Sequence, residues 1–445
     1  MTGLDLVIRA RRVVRAAGEQ AGAIGIRDGR IVALAPYDAE LVATEDIRLA
    51  DDEVLLPGLV DSHVHVNDPG RTAWEGFTSA TRAAAAGGVT TIIDMPLNSL
   101  PPTCDVPALA LKRDTAAPQA YVDVGFWGGA IPGNLADLRP MHDAGVFGFK
   151  CFLLHSGVDE FPPLDAVQLE AAMRELSSFD GLLIVHAEDA HSIDHAPPPR
   201  GASYRDFLHS RPRSAENKAV AQVIDLARQT GCRVHILHVS SAEVLPLIAA
   251  AKSDGVRITA ETCPHYLTFA AEEIPDGATQ YKCCPPIREA ANRDLLWEGL
   301  RAGTIDLVVS DHSPSTIDLK HLDTGDFGTA WGGIASLQLG LAAVWTEARR
   351  RGFTLSDVVR WMSLAPAVQT GLLAKGRIEL GADADLCVLA PDSPVLVDAA
   401  ALHHKNPITP YDGRTLYGEV RSTWLRGVPV SSTPSGRLLT RGAPQ

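Results

Sequence analysis

The chain of 445 residues contains no apolar run approaching the ~20 residues needed to cross a bilayer. It carries no excess of positive charge either: 40 Lys and Arg against 54 Asp and Glu leave a formal net charge of -14 at pH 7. Nucleic acid and anionic membrane surfaces are thereby excluded as expected partners, because both need concentrated basic side chains. The basic cluster from Arg9 to Arg15 is interleaved with Val13 and Val14, and reads as the solvated face of a strand. The opening residues lack the apolar core of a secretory signal. Cysteine is sparse, seven in all, with no Cys-x-x-Cys pair, and Cys283 and Cys284 are adjacent. An odd number without ligand spacing fits a reduced compartment, so a cytoplasmic location is expected.

What is present is the composition of a globular enzyme, 46% hydrophobic and 21% charged. The length suits an α/β barrel of about 250 residues with insertions, plus a smaller domain. Short β-rich pieces broken by Gly and Asp fill residues 1–54, and similar pieces recur over 376–430. The two ends are expected to pair into one β-sandwich, with the region 55–375 inserted as a (β/α)8 barrel. Strands are expected at 55–61, 90–95, 121–127, 147–153, 182–186, 233–239, 257–262 and 306–310. Ala-rich helices are expected between them at 79–86, 166–177, 217–230 and 243–253, with closing helices at 334–350 and 355–370. The segment 431–445, rich in Ser, Gly, Pro and Arg, is expected to be a flexible tail.

The first barrel strand ends in His63-Val64-His65. Residues two apart on a strand share a face, so the two imidazoles project side by side. A lone His-x-His is as easily structural as functional. The barrel changes that weighing, because reactive groups collect at the carboxyl ends of its strands. Those ends also supply Lys150, His186, His238 and Asp311. Four histidines, a carboxylate and an amine at one mouth exceed what chance placement provides. The other histidines have simpler readings. His235 is a packed core residue by strand parity, and His191 and His195 sit in a polar loop. His265 belongs to the layer behind the ligands, while His155, His312 and His321 are weaker candidates.

Lys150 interrupts the apolar stretch Gly148-Phe149-Lys150-Cys151-Phe152. A buried ammonium is costly and cannot ligate a metal. It either pairs with Asp311 or is converted by CO2 to a carbamate, which behaves as a carboxylate.

With these residues in hand, the chain resembles the cyclic amidohydrolases of the amidohydrolase superfamily, and among them the allantoinases. The resemblance runs from Asp5 to Gly427. It rests on Asp68-Pro69-Gly70-Arg71-Thr72 with Trp74-Glu75-Gly76-Phe77, on Asp94-Met95-Pro96-Leu97-Asn98-Ser99 and on Glu261-Thr262-Cys263-Pro264-His265-Tyr266-Leu267. Lys282-Cys283-Cys284-Pro285-Pro286-Ile287-Arg288, Ser310-Asp311-His312-Ser313-Pro314 and Ala330-Trp331-Gly332-Gly333-Ile334 complete it. The resemblance implies two divalent ions per subunit, one held by His63, His65 and Asp311 and the other by His186 and His238. A carbamate made on Lys150 from CO2 would bridge them. Zinc is the foremost expectation, with cobalt, manganese, iron and nickel open, since imidazole and carboxylate suit all of them. Two ions roughly 3.5–4 Å apart make a bridging water a hydroxide near neutral pH. That hydroxide would attack the ring amide of allantoin, giving allantoate, with Asp311 as general base and then acid. Asn98, Ser313, Cys284 and Gly333 are expected to orient the substrate, and a homotetramer is expected from the family.

Dihydroorotase is the nearest rival, but an Arg following the His-x-His segment and an Asn before the Pro-Pro pair are replaced here by Asn67 and Cys284. A buried substrate carboxylate would then lack its cation, unless Arg71 supplies one. Hydantoinase or dihydropyrimidinase is the second rival, and its members lack the Pro-Gly-Arg-Thr run. A catalytically inactive scaffold of the same fold is the remote alternative, although such chains usually lose ligands. Two departures from the allantoinase pattern, His155 and Ala73, bear on substrate range.

Overall fold

The structure is a computed structural model that describes residues 3–442. Its amino-terminal strands are β1 (Leu4–Arg15), β2 (Gly18–Arg27), β3 (Arg30–Ala35), β4 (Ala43–Arg48) and β5 (Val54–Pro57). Next come the parallel strands β6 (Leu59–Val64), β7 (Val89–Asp94), β8 (Asp123–Phe126), β9 (Gly128–Gly129) and β10 (Phe149–Phe152). They continue as β11 (Leu182–His186), β12 (Arg233–Ile236), β13 (Ile258–Thr262) and β14 (Leu307–Val308). The chain closes with β15 (Leu386–Leu396), β16 (Thr415–Leu425) and β17 (Val428–Pro429).

Both chain ends share one mixed sheet of eight strands, ordered β17-β16-β15-β5-β1-β2-β3 with β4 on β1. The join is β5 against β15, antiparallel, with Leu56 opposite Cys387. Leu6, Ile8, Val13, Ile24, Leu55, Leu386 and Trp424 form its core. The apolar run that opens the barrel thus divides at Gly58, because Val54–Pro57 belongs to this sheet and only Leu59–Val64 to the parallel strands. The expected boundary at residue 55 therefore falls inside β5. A Cβ on Gly58 would lie 2.3 Å from Thr90 Oγ1, so the crossing admits only glycine there.

The parallel strands form two sheets, β6-β7-β8 and β9-β10-β11-β12-β13-β14. Trp127 separates β8 from β9, and its indole donates to Ser62 O. Hydrogen bonds run between the sheets on both sides, from Phe147 N to Phe126 O and from His65 N to His312 O. Helices alternate with the strands and cover their outer faces. The helices Ala166–Ser177 and Arg213–Thr230 pack on β11 and β12 through Leu169, Met173, Val220 and Val223. A buried ionic cluster pins the mixed sheet to β8. Lys375 Nζ stands 2.5 Å from Asp123 and 2.6 Å from Asp385, and Arg426 reaches Asp123 at 2.8 Å.

Three expectations need correction. The closing helix expected over 334–350 begins only at Gly340 and runs to Arg350. Residues 355–370 are an α-helix, a π-turn over Arg360–Leu364 and a second α-helix, because Pro366 has no N–H for a regular ladder. The segment after Ser431, expected to be flexible, is hydrogen-bonded along β8: Gly436 N donates to Ala120 O, and Leu439 N to Val124 O. A Cβ on Gly436 would lie 2.0 Å from Val122 O, so its glycine permits this close approach, which composition alone conceals. Residues 443–445 of that segment lie outside the described residues.

Candidate metal centre

Parallel strands deliver their carboxyl ends to one side, and that is where the polar cluster stands. His63 lies in β6, Lys150 in β10 and His186 at the end of β11. His65 follows β6 directly, while His238 and Asp311 lie two and three residues past β12 and β14. Both of these strands end earlier than expected, and His238 (φ 37°) and Asp311 (φ 44°) adopt left-handed backbone that non-glycine residues rarely take. Such conformations persist where the surrounding structure enforces them, often at functional sites.

All six expected ligands converge. His63 Nε2 is 3.1 Å and His65 Nε2 3.6 Å from the same Asp311 oxygen. The His238 ring is 5.5 Å from His63 and 4.6 Å from His186. One donor atom each from His63, His238 and Asp311 fits within 4.8 Å. His63 Nε2 and His238 Nδ1 are buried without an aligned hydrogen bond. Buried nitrogens left so are rare unless something else satisfies them.

Burial and charge work against each other here. Burial disfavours a charged His63, yet Asp311 and Glu261 outweigh it and hold the group up at about 9. The Asp311 carboxylate thus favours positive charge at this point, where a cation would serve it equally. Burial drives His65 and His238 well below their ordinary value, leaving both neutral and fit to ligate. Burial also lowers Lys150 to about 8, so a fraction of its amine is uncharged near neutrality.

Behind the ligands stand groups that sequence reasoning passed over. Glu261 Oε1 lies 2.5 Å from His63 Nδ1, and its second oxygen 2.9 Å from His235 Nε2. Burial opposes ionisation of Glu261, but His63 and His235 hold it down to about 2. Glu188 takes His186 Nε2 at 2.8 Å and Arg211 Nη2 at 2.6 Å. The available signals were a glutamate interrupting the apolar β13, and His186-x-Glu188 on one face of an extended segment. Burial raises Asp61 to about 6, although its oxygens accept from the backbone N–H groups of His63 and Ser310.

The cluster opens into a cavity of about 590 Å3. Asn98, Ser313, Cys284 and Gly333 all line it, as do Phe152, Arg211, Lys282 and Trp331. Ser313 Oγ donates to Asp311 Oδ1 at 2.9 Å, and Asn98 Nδ2 to Asn67 Oδ1 at 3.0 Å. Gly333 (φ +129°) admits no side chain, since a Cβ would lie 2.2 Å from Ser313 O. Its loop hangs on two buried lysines: Lys282 Nζ donates to Ala330 O and Lys320 Nζ to Gly333 O, each at 2.5 Å. Arg71 is committed to Asn98 O and Glu160 and does not face the cavity. His155 stands at the mouth with its side chain 61% exposed, whereas Ala73 is outside the cavity and gives its carbonyl to Asn406. His235 and His312 are buried and partnered, the latter on Glu75. His191 and His195 lie outside the cavity with their rings in tilted contact, centroids 4.0 Å apart.

The Amidohydrolase family matches residues 54–430. The chain is 60% identical to the allantoinase of Streptomyces avermitilis over 99% of its own length and 100% of that protein. The chain belongs to the allantoinases of the amidohydrolase family. The allantoinase of Saccharomyces cerevisiae is 48% identical over 86% of each chain. Among solved structures, the L-hydantoinase (dihydropyrimidinase) of Arthrobacter aurescens superposes with a TM-score of 0.92 at 30% identity, covering 98% of this chain and 100% of the other. Its fold is thus that of the TIM-barrel amidohydrolases with an added β domain. Among the described residues of this allantoinase-family chain, no helix is long and apolar enough to cross a membrane.

Proposed function

We propose that the chain hydrolyses the hydantoin ring of allantoin, adding water across a ring amide so that the C–N bond opens and allantoate forms, in purine breakdown. The observation that carries this reading is full-length 60% identity to an allantoinase, twice that to the superposed hydantoinase. A neutral ring also fits the positions beside the cluster: Asn67, not an arginine, follows the His-x-His segment, and Arg71 is already paired with Glu160.

The residues fit a pair of divalent ions, zinc foremost. Orphaned imidazole nitrogens on His63 and His238, a carboxylate facing two histidines, and neutral His65 support the fit. His63, His65 and Asp311 would hold one ion, and His186 and His238 the other. Lys150, partly uncharged and without a carboxylate partner of its own among the described residues, would take up CO2 as a carbamate between them. Such ions supply Lewis acidity to the amide carbonyl and lower the pKa of a nearby water. The chain supplies the rest. Asp311, oriented by Ser313, accepts the proton of the attacking water and passes it to the departing ring nitrogen. Asn98, Cys284 and the backbone at Gly333 orient the ring, and Trp331 narrows the entrance.

In the same reading the two parallel sheets make one closed (β/α)8 barrel, supported by the hydrogen bonds that join them. The domains expected as a β-sandwich over 1–54 and 376–430 and a barrel over 55–375 become a single-sheet β domain that extends to Pro57 and a barrel that begins after Gly58. The enzyme is a cytoplasmic homotetramer. The test is turnover of allantoin, dihydroorotate, hydantoin and dihydrouracil by zinc-loaded protein in bicarbonate. Preference for allantoin supports the reading. Turnover of another ring with allantoin inert overturns it.

A further inference from the structure

A second set of donors converges on Asp311. Cys263 Sγ, a ring nitrogen of His265 and a carboxylate oxygen of Asp311 lie within 4.8 Å of one another. Cys263 and His265 are 0% exposed. Among the described residues neither ring nitrogen of His265 has a hydrogen-bond partner. A neutral imidazole offers one donor and one acceptor, and leaving both unmade in the interior is costly. The local sequence creates the arrangement. The chain leaves β13 at Thr262, and Pro264 turns it at once into the short helix Pro264–Thr268, keeping Cys263 and His265 near the strand's carboxyl end.

We propose that Cys263, His265 and Asp311 form a cation site distinct from the histidine cluster, suited to a thiophilic divalent ion such as zinc or cadmium, and that its occupation inhibits the enzyme. A thiolate, an imidazole and a carboxylate are ligands of zinc-like ions and not of magnesium or calcium, which take oxygen. Bonds of about 2.0–2.3 Å place ligand atoms roughly 3.3–3.8 Å apart, so the three groups need to draw in by about 1 Å. On binding, the Cys263 thiol releases its proton to solvent and the thiolate sulfur donates its electron pair to the ion. Asp311 would then be engaged by the extra ion and unable to carry the proton of the hydrolysis. This last clause rests on the function proposed above.

The test is titration of zinc-saturated protein with cadmium, reading thiolate-to-cadmium charge-transfer absorption alongside allantoin turnover. A band saturating at one equivalent, with turnover lost in step, is expected. Cys263→Ser is expected to abolish the band, and Cys284→Ser to keep it, which separates this thiol from the one lining the cavity. His265→Asn keeps the thiol and is expected to shift the titration to higher cadmium, so it decides the matter if Cys263→Ser fails to fold. No band in the wild type, a band persisting in Cys263→Ser, or an unshifted titration in His265→Asn overturns the site. A normal band with allantoin turnover retained overturns the inhibition while the site stands, whereas protein inactive before cadmium is added overturns the function proposed above and leaves the site standing.

Discussion

Glu261 stands behind His63 and joins it to His235: one carboxylate oxygen lies 2.5 Å from Nδ1 of the first, the other 2.9 Å from Nε2 of the second. The contact fixes the His63 ring with Nε2 turned toward Asp311. Carboxylates in this position raise the basicity of a ligating imidazole, and their loss costs ~10–100-fold in metal affinity. Glu261→Gln is expected to weaken zinc by that factor in equilibrium dialysis. Unchanged zinc affinity would remove Glu261 from the site.

Lys150 is buried, and its amine makes no ion pair among the described residues. Lys150→Ala is therefore expected to lose bound metal and activity together. Small carboxylic acids, which restore an oxygen donor in the gap, should bring back part of both. Full activity in the unsupplemented variant would sink the bridging carbamate.

Asp311 faces His63 and His65 and takes a hydrogen bond from Ser313. Asp311→Asn keeps the shape and removes the carboxylate proposed to carry the proton. Its kcat is expected to fall by ~10²–10⁴-fold, the usual contribution of a positioned acid–base group. An undiminished kcat would move that role elsewhere.

Lys320 is buried, and among the described residues its Nζ is satisfied only by the carbonyls of Trp331 and Gly333. Burial lowers it from 10.5 to about 7. Between those two values the unfolded chain binds a proton that the folded chain does not, so stability rises with pH across the window and is lowest below about 7. Denaturant unfolding from pH 7 to pH 10 reads this slope. Lys320→Met is expected to flatten it, and a slope unaffected by the substitution would show that other groups produce it.

The polar cluster was legible because β/α alternation fixes which end of each strand is functional: His63, His65, His186, His238 and Asp311 lie at or just past such ends, and Lys150 lies inside β10. The mixed sheet was legible in part. Apolar pieces at both ends signalled a shared domain, but the division of one continuous run at Gly58 was not visible, because Leu55 and Leu59 are equally apolar and only their strand partners, Val388 and Val89, distinguish them. The tail was misread for a related reason. Its partners are the backbone groups of Ala120 and Val124, and backbone pairing leaves little trace in polar composition.

The sequence by itself determined the chemistry on offer: four imidazoles, a carboxylate and an interrupting lysine, spaced so that parallel strands bring them together. Tertiary structure alone decided what lies behind them. Glu261 and Glu188 were ordinary acidic residues until folding set each against one histidine, and Cys263 and His265 met Asp311 only because β13 and β14 are neighbours. Strand order and the few ångströms between side chains govern such contacts, and neither is encoded in local spacing.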